Sequence, residues 1–382
     1  MQNRRLTLNG LTTPNFIYLI LSLGMVGVST YLTNHFYETH FPTNLTGDSF
    51  CSISEFWGCD KATLSMFGSI FNVPTAFFGI VIGAMGIFGI IFSSEEFEKT
   101  LKSFSYINAI GCLLLLIYSL VVLGSLCPLC TIYYILSFAS AFLFYRYSSA
   151  SLALDLRWTV IFTVLTIIPA FFMHGNFKGR VAAQRNLNDQ YIVQYFKLAI
   201  PGDPIVESPY KVYKSTEAFV DAPIRISLFS DFECPFCQVV AKQMEELISI
   251  YKGKINIQYM FYPLDGSCNS AIKGAFHKHA CKAAYLAACD KDKFSEVHDY
   301  IFSKQKELSF ENITKWQKEF KLKNCFNNKA IQEEVQKTLL AGNQYNIQST
   351  PTMILNGRKL EGSVKTVHLK AILDEIIRRS QE

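Results

Sequence analysis

The chain has 382 residues, half of them hydrophobic, with a positive mean hydropathy and a formal net charge of +5. That is too apolar for soluble domains alone, so a membrane part is implied. The charge is mild and no Lys/Arg block is interleaved with aromatics, which excludes a nucleic-acid partner held by its phosphate backbone.

Apolar character is concentrated in residues 16–173, whereas residues 178–382 alternate charged and apolar residues as a soluble domain does. A helix needs roughly 20 apolar residues to cross ~30 Å of hydrocarbon, and residues 16–32, 73–92 and 158–173 come close without a charge. The first is expected to stay as an anchor, since no small-residue cleavage site follows it and further apolar segments do. Residues 104–145 lack Asp, Glu, Lys and Arg altogether. As one helix they would reach about 63 Å, twice a bilayer, so they predict a hairpin of two spans. Its fold point is Leu126-Cys127-Pro128-Leu129-Cys130, because proline suits a first helical turn and ends the helix before it.

Five spans result. Arg4, Arg5, Lys99, Lys102, Arg146 and Arg157 flank one side, against Lys61 alone in the loops of the other. The positive side is the cytoplasmic one. Threading the chain from there puts the 33–72 loop, the Cys127 fold point and the C-terminal half outside, where disulfides persist.

Eleven cysteines make thiol chemistry the leading idea. Cys51 and Cys59 share an outer loop in which Gly58 allows a tight bend, and read alone they form a static staple more readily than a reactive pair, since fixed disulfides outnumber catalytic ones in such loops. Cys127 and Cys130 open a helix, whose dipole lowers the thiolate pKa of the first and speeds exchange, so Cys127 is the expected reactive member. A zinc site from these four cysteines is numerically possible, but the apolar setting suits an electron acceptor better. Cys112, alone in the third span, reads as a small buried apolar residue.

Cys51, Cys59-Asp60, Ser65 six residues on, Pro74 and Gly79 opening the second span, and Cys127-x-x-Cys130 followed by Tyr134 together resemble the vitamin K epoxide reductase family over residues 12–145. The resemblance implies a four-helix bundle around a membrane quinone, ubiquinone or menaquinone. Cys130 would lie beside the quinone ring and Cys127 would exchange with the loop pair. Ser65, Thr75, Phe78, Cys130 and Tyr134 would line the quinone site. Thr75 stands nearest to where some family members place an asparagine, which bears on quinone against epoxide selectivity. Ser65 has a plainer reading as a helix cap and Tyr134 as an interface anchor.

In the soluble half, residues 224–229 read as a strand, Asp231-Phe-Glu-Cys-Pro-Phe-Cys237 as a turn into a helix, and residues 255–262 as the next strand. This is the βαβ setting of a redox-active C-x-x-C. Ser349-Thr350-Pro351-Thr352 precedes a hairpin with an Asn356-Gly357 turn, and Pro351 can be cis. These segments resemble thioredoxin-fold proteins of the DsbA type, with a helical insertion between residues 265 and 347. The resemblance implies Cys234 as exposed nucleophile, Cys237 as resolving thiol and Pro351 as a cis-proline beside them. Phe236 stands where DsbA has histidine, which implies lower oxidising power.

Cys268, Cys281, Cys289 and Cys325 are an even set that predicts two structural disulfides. If residues 276–289 were one helix, Cys281 and Cys289 would be ~12 Å apart, beyond disulfide reach, which leaves two pairings. The preferred one joins Cys268 to Cys281 and Cys289 to Cys325. His277, His279 and His298 read as helix-surface residues rather than metal ligands.

The expected organisation is a transmembrane domain over 1–175, a linker over 176–220 and an α/β thioredoxin-like domain over 221–382. The expected function is quinone-dependent oxidation of reduced secreted or periplasmic proteins at the bacterial inner membrane, with an N-terminus in the cytoplasm, a periplasmic thioredoxin domain and no bound metal. The alternatives are a tethered thioredoxin-fold isomerase or reductase, and a non-catalytic binding protein whose disulfides are all structural.

Overall fold

The computed structural model describes residues 13–42, 51, 56–92, 94–274 and 276–382. Arg4 and Arg5, read above as a basic flank, and residues 52–55 of the cysteine loop lie outside these. The described residues fall into two compact units that divide near residue 184.

The first unit is helical. Helix α1 (Thr13–His40) packs on α3 (Thr75–Ile91) and α5 (Pro128–Tyr147), and α4 (Glu95–Tyr118) packs on α3 and α5. Helices α1, α4, α5 and α6 (Leu156–Lys197) are long and apolar enough to cross a membrane, while α3 is equally apolar but has only 17 residues. Ser94 starts α4 by accepting the Phe97 N–H, with Glu95, Glu96 and Glu98 in the first turn, where acidic groups suit the helix dipole. Near its end α4 loosens into a π turn (Ser119–Leu123), and Gly124 then adopts a left-handed φ of 58° that lets the chain reverse.

The close approach of α1 and α3 requires glycine. A Cβ on Gly83 would stand 2.8 Å from the Ser22 carbonyl oxygen and 3.0 Å from the Val26 backbone nitrogen. With Gly79 and Gly86 on the same face, α3 presents the small-residue stripe that lets apolar helices pack without a hydrophobic drive between them. Tyr18, Met85, Phe97, Leu101 and Phe144 fill the space below.

The segment expected as a linker, 176–220, is instead helical as far as Lys197 and contains a strand. Its charged residues hid a helical repeat. Tyr191, Ile192, Tyr195 and Phe196 recur at one-turn spacing and pack into the second unit's core, where the Tyr195 hydroxyl donates to the Leu355 carbonyl at 2.9 Å.

Two short antiparallel strands, β1 (Ser69–Ile70) and β2 (Val73–Pro74), precede α3 in the first unit. In the second unit, β3 (Lys211–Tyr213), β4 (Ile224–Ser230), β5 (Ile255–Phe261), β6 (Thr352–Leu355) and β7 (Arg358–Glu361) form one sheet in the order β3-β5-β4-β6-β7. Only β4 and β5 pair in parallel, joined by α7 (Pro235–Ile250). Strands β4 and β5 are buried on both faces, and their inward polar groups pair with each other, Gln258 Nε2 donating to Ser227 Oγ at 2.8 Å. One face carries α7 and α12 (Thr366–Ser380), Leu373 of α12 packing with Ile226 and Leu228 of β4 in one core. Helices α8 (Ala280–Ala287), α9 (Phe294–Ser303), α10 (Phe310–Glu319) and α11 (Lys329–Asn343) form the insertion between β5 and β6. The disulfides Cys268–Cys281 and Cys289–Cys325 staple it, in the preferred pairing.

Candidate functional site: two dithiol centres

The first centre begins with a backbone clamp. Leu126 donates to the Phe56 carbonyl at 2.7 Å and its own carbonyl accepts the Gly58 N–H at 3.0 Å. The loop ahead of Cys59 is thereby bound to the segment ahead of Cys127. Cys59 opens the short helix α2 (Cys59–Thr63) and forms a disulfide with Cys51, while Cys127 caps α5, its sulfur accepting the Cys130 N–H at 3.1 Å. The clamp leaves the Cys59 and Cys127 sulfurs 3.0 Å apart, with both residues and Cys51 almost fully buried.

Three sulfurs so close could suggest a metal. Two of them are bonded to each other, however, which leaves a single thiol where a zinc site wants three or four ligands. A thiol against a disulfide is the arrangement of exchange.

Below the sulfurs lies a cavity of about 770 Å³ whose walls include Ser65, Thr75, Phe78, Cys127, Cys130 and Tyr134. All the residues expected around a quinone therefore share one cavity. Ser65 donates to the Ala62 carbonyl at 2.7 Å and Thr75 to the Phe67 carbonyl at 2.5 Å, so both hydroxyls also shape the chain that roofs it. Asn108 and Tyr133 were not foreseen. The Tyr133 hydroxyl donates to Asn108 Oδ1 at 3.1 Å and Asn108 Nδ2 donates to Ser137 Oγ at 2.7 Å, giving the apolar cavity a polar wall. Cys112 is buried and lines the same wall. Also unforeseen is the pair of buried His35 and half-buried Asp60, with Nε2 and Oδ1 3.0 Å apart, beside Cys59. The sequence signal was faint: Asn108 is one polar residue inside an apolar run, and His35 and Asp60 stand among other polar residues.

The second centre lies where β4 meets α7. Pro235 at the first turn sets the helix start, Cys234 caps it and Cys237 is wholly buried one turn on. Cys234 is itself only 5% exposed, which corrects the expectation of an exposed nucleophile. Its sulfur lies 3.3 Å from the Thr350 carbonyl, ahead of a cis Thr350–Pro351 peptide, and on the floor of a groove of about 490 Å³.

The Cys234 thiol is pulled down to about 6, first by a hydrogen bond from the Cys237 thiol, then by the Thr350 side chain, and then by the Cys237 and Phe236 backbone N–H groups of the helix start, against an opposing effect of burial. Cys237 is pushed well above the ordinary thiol range, first by burial and then by the neighbouring Cys234 sulfur. The two sulfurs are thereby driven apart, Cys234 towards the thiolate and Cys237 towards the thiol.

The three histidines are not the helix-surface residues expected. His298 is buried among Phe232, Tyr259, Phe294 and Phe302, and His277 lies outside any helix, with Nδ1 2.8 Å from Asp231 Oδ2. His279 stands just ahead of α8, and its backbone N–H donates to Glu233 Oε2 at 2.6 Å.

Residues 16–145 match the family model described as the vitamin K epoxide reductase family, and residues 220–375 match one described as thioredoxin. A probable disulfide bond formation protein D of Bacillus cereus is 28% identical over 157 residues, 36% of this chain and 67% of that protein. The disulfide bond formation protein D of Bacillus subtilis is 23% identical over 196 residues, 46% of this chain and 81% of that protein. Among solved structures, the thiol-disulfide exchange protein alpha-DsbA2 of Wolbachia pipientis superposes with a TM-score of 0.37 at 22% identity, over 51% of this chain and 98% of its own. Oxidised BdbD of Bacillus subtilis gives 0.35 at 20%, over 48% and 100%.

Proposed function

From a chain that joins a vitamin K epoxide reductase family domain, residues 16–145, to a thioredoxin domain, residues 220–375, we propose a membrane thiol oxidase that makes protein disulfides and passes the electrons to a quinone. The observation that carries this reading is the 3.0 Å contact between Cys127 and the Cys51–Cys59 disulfide above an apolar cavity. A structural staple has no use for a buried thiol against its sulfur, so the contact favours an oxidase over a binding protein with static disulfides.

A substrate thiolate attacks Cys234, the Cys234–Cys237 bond breaks, and a second substrate thiolate expels Cys234 to leave an oxidised substrate. The reduced pair transfers two electrons to Cys51–Cys59. Cys59 then attacks Cys127 of the oxidised Cys127–Cys130 pair, Cys130 departs, and Cys51 resolves the mixed bond and restores its own disulfide. Cys130 and Tyr134 would hold the quinone in the cavity, with Ser65, Thr75 and Phe78 along its sides. Bound there, a ubiquinone or menaquinone supplies a two-electron, two-proton acceptor that closes the cycle. We place the N-terminus in the cytoplasm of a bacterium, the spans in its inner membrane and the thioredoxin domain in the periplasm, where reduced secreted proteins are the partners.

Absorbance of a soluble quinone analogue, followed with the full chain in detergent and a reduced protein substrate, tests this. Reduction is expected with the native chain and its loss, by at least a hundredfold, with Cys130→Ala. Normal turnover in that variant overturns the proposal.

A further inference from the structure

The CPFC motif carries no cation, and Asp231 and Glu233 stand just ahead of Cys234, where two carboxylates disfavour a thiolate. The groove beside Cys234 contains a compensating group. Asp231 is buried, and its carboxylate accepts the Glu233 N–H at 2.7 Å, the Leu264 N–H at 2.7 Å and His277 Nδ1 at 2.8 Å. His277 belongs to the segment closed by the Cys268–Cys281 disulfide, is tied to the Leu264 carbonyl through its own N–H at 3.1 Å, and lines the groove together with Cys234 and Phe276.

We propose that His277, held by Asp231, is the electrostatic partner of Cys234, a positive charge on the groove wall that favours departure of the Cys234 thiolate when the substrate disulfide forms. This rests on the reading of Cys234 as the exchanging thiol. In that step the bond between Cys234 and the substrate sulfur breaks, the electron pair stays on Cys234, and a substrate–substrate disulfide forms. A thiolate that is more stable leaves faster.

The hydrogen bond to Asp231 first, and the charges of Asp231, Glu233 and Cys234 after it, raise the proton affinity of His277 above the ordinary histidine value against an opposing effect of burial. Those are the titratable groups that face it from the turn between β4 and α7. The other wall, Gln348, Ser349 and Thr350, contributes none.

The test is the pH dependence of iodoacetamide alkylation of Cys234 in the reduced full chain, read by mass spectrometry of the peptide that contains it. The native midpoint is expected at about 6. His277→Gln is expected to move it up by roughly one pH unit, and His277→Lys, which restores the charge, to keep it low. An unmoved midpoint in His277→Gln, or one in His277→Lys as high as in His277→Gln, overturns the proposal. Should His277→Gln fail to fold, the reciprocal measurement decides. Coupling is mutual, so Cys234→Ser is expected to lower the NMR titration midpoint of His277, and an unchanged midpoint overturns the proposal. A native Cys234 midpoint at the ordinary thiol value would instead overturn the assignment of Cys234 as exchanging thiol, a distinct failure.

Discussion

Cys59, and not Cys51, is the loop cysteine in contact with Cys127. In the proposed transfer Cys51 resolves the bond between Cys59 and Cys127, so Cys51→Ala is expected to accumulate a Cys59–Cys127 disulfide, visible as one cross-linked peptide pair after proteolysis. A Cys59 that stays a free thiol in that variant would refute the order of transfer. At the other centre the prediction concerns stability. A folded thiol pKa of about 6 lies below the ordinary value of 9.0, so the stabilisation from Cys234 is complete above pH 9 and is lost as pH falls towards 6. The upward displacement of Cys237 acts only above that window. The melting temperature of the reduced protein should therefore fall between pH 9 and pH 6 relative to Cys234→Ser, and parallel curves would refute the depressed value. Both dithiol motifs were legible because cysteine and proline have few other reasons to occur at such spacing. His35, Asp60, Asn108 and His277 were not, because each acquires its meaning from a partner at least 25 residues away.

The elements of the first unit are held by close approach more than by large side chains. Gly83 faces backbone atoms of α1, which do not move aside as a side chain would. Gly83→Ala is expected to cost about 1–3 kcal/mol, measured as an earlier thermal transition of the detergent-solubilised chain. An unchanged transition would mean that the pairing of α1 and α3 is slack. Length and charge were enough to find α1, α3, α4, α5 and the start of α6, because apolar residues in unbroken runs have one use. The continuation of α6 to Lys197 escaped, since there only the helical spacing of Tyr191, Ile192, Tyr195 and Phe196 marks it among polar neighbours. Helix geometry removed only the pairing of Cys281 with Cys289 and left two, of which the preferred one is the one formed, although α8 proves shorter than the helix assumed.

For the whole molecule the central expectation is topological. The positive residues near the ends of the spans predict that a reporter fused after Glu98 is cytoplasmic and one fused after Glu382 is outside, with alkaline phosphatase activity as the readout. A phosphatase active after Glu98, or silent after Glu382, would overturn the placement of the cysteine centres in an oxidising compartment. The charge pattern speaks to this directly, since it is written in composition and does not depend on tertiary contact.

The backbone clamp between Phe56, Gly58 and Leu126 bears on how such a circuit avoids leakage. Sulfurs kept 3.0 Å apart react as if one were present at an effective molarity on the order of 10⁵ M, and burial closes the same atoms to solvent. In the proposed relay a diffusing small thiol at millimolar concentration then loses the competition for the Cys51–Cys59 bond on both counts, and current is confined to the protein's own sulfurs. Loosening the clamp would cost selectivity before it cost speed: electrons would still arrive, but from the wrong donors.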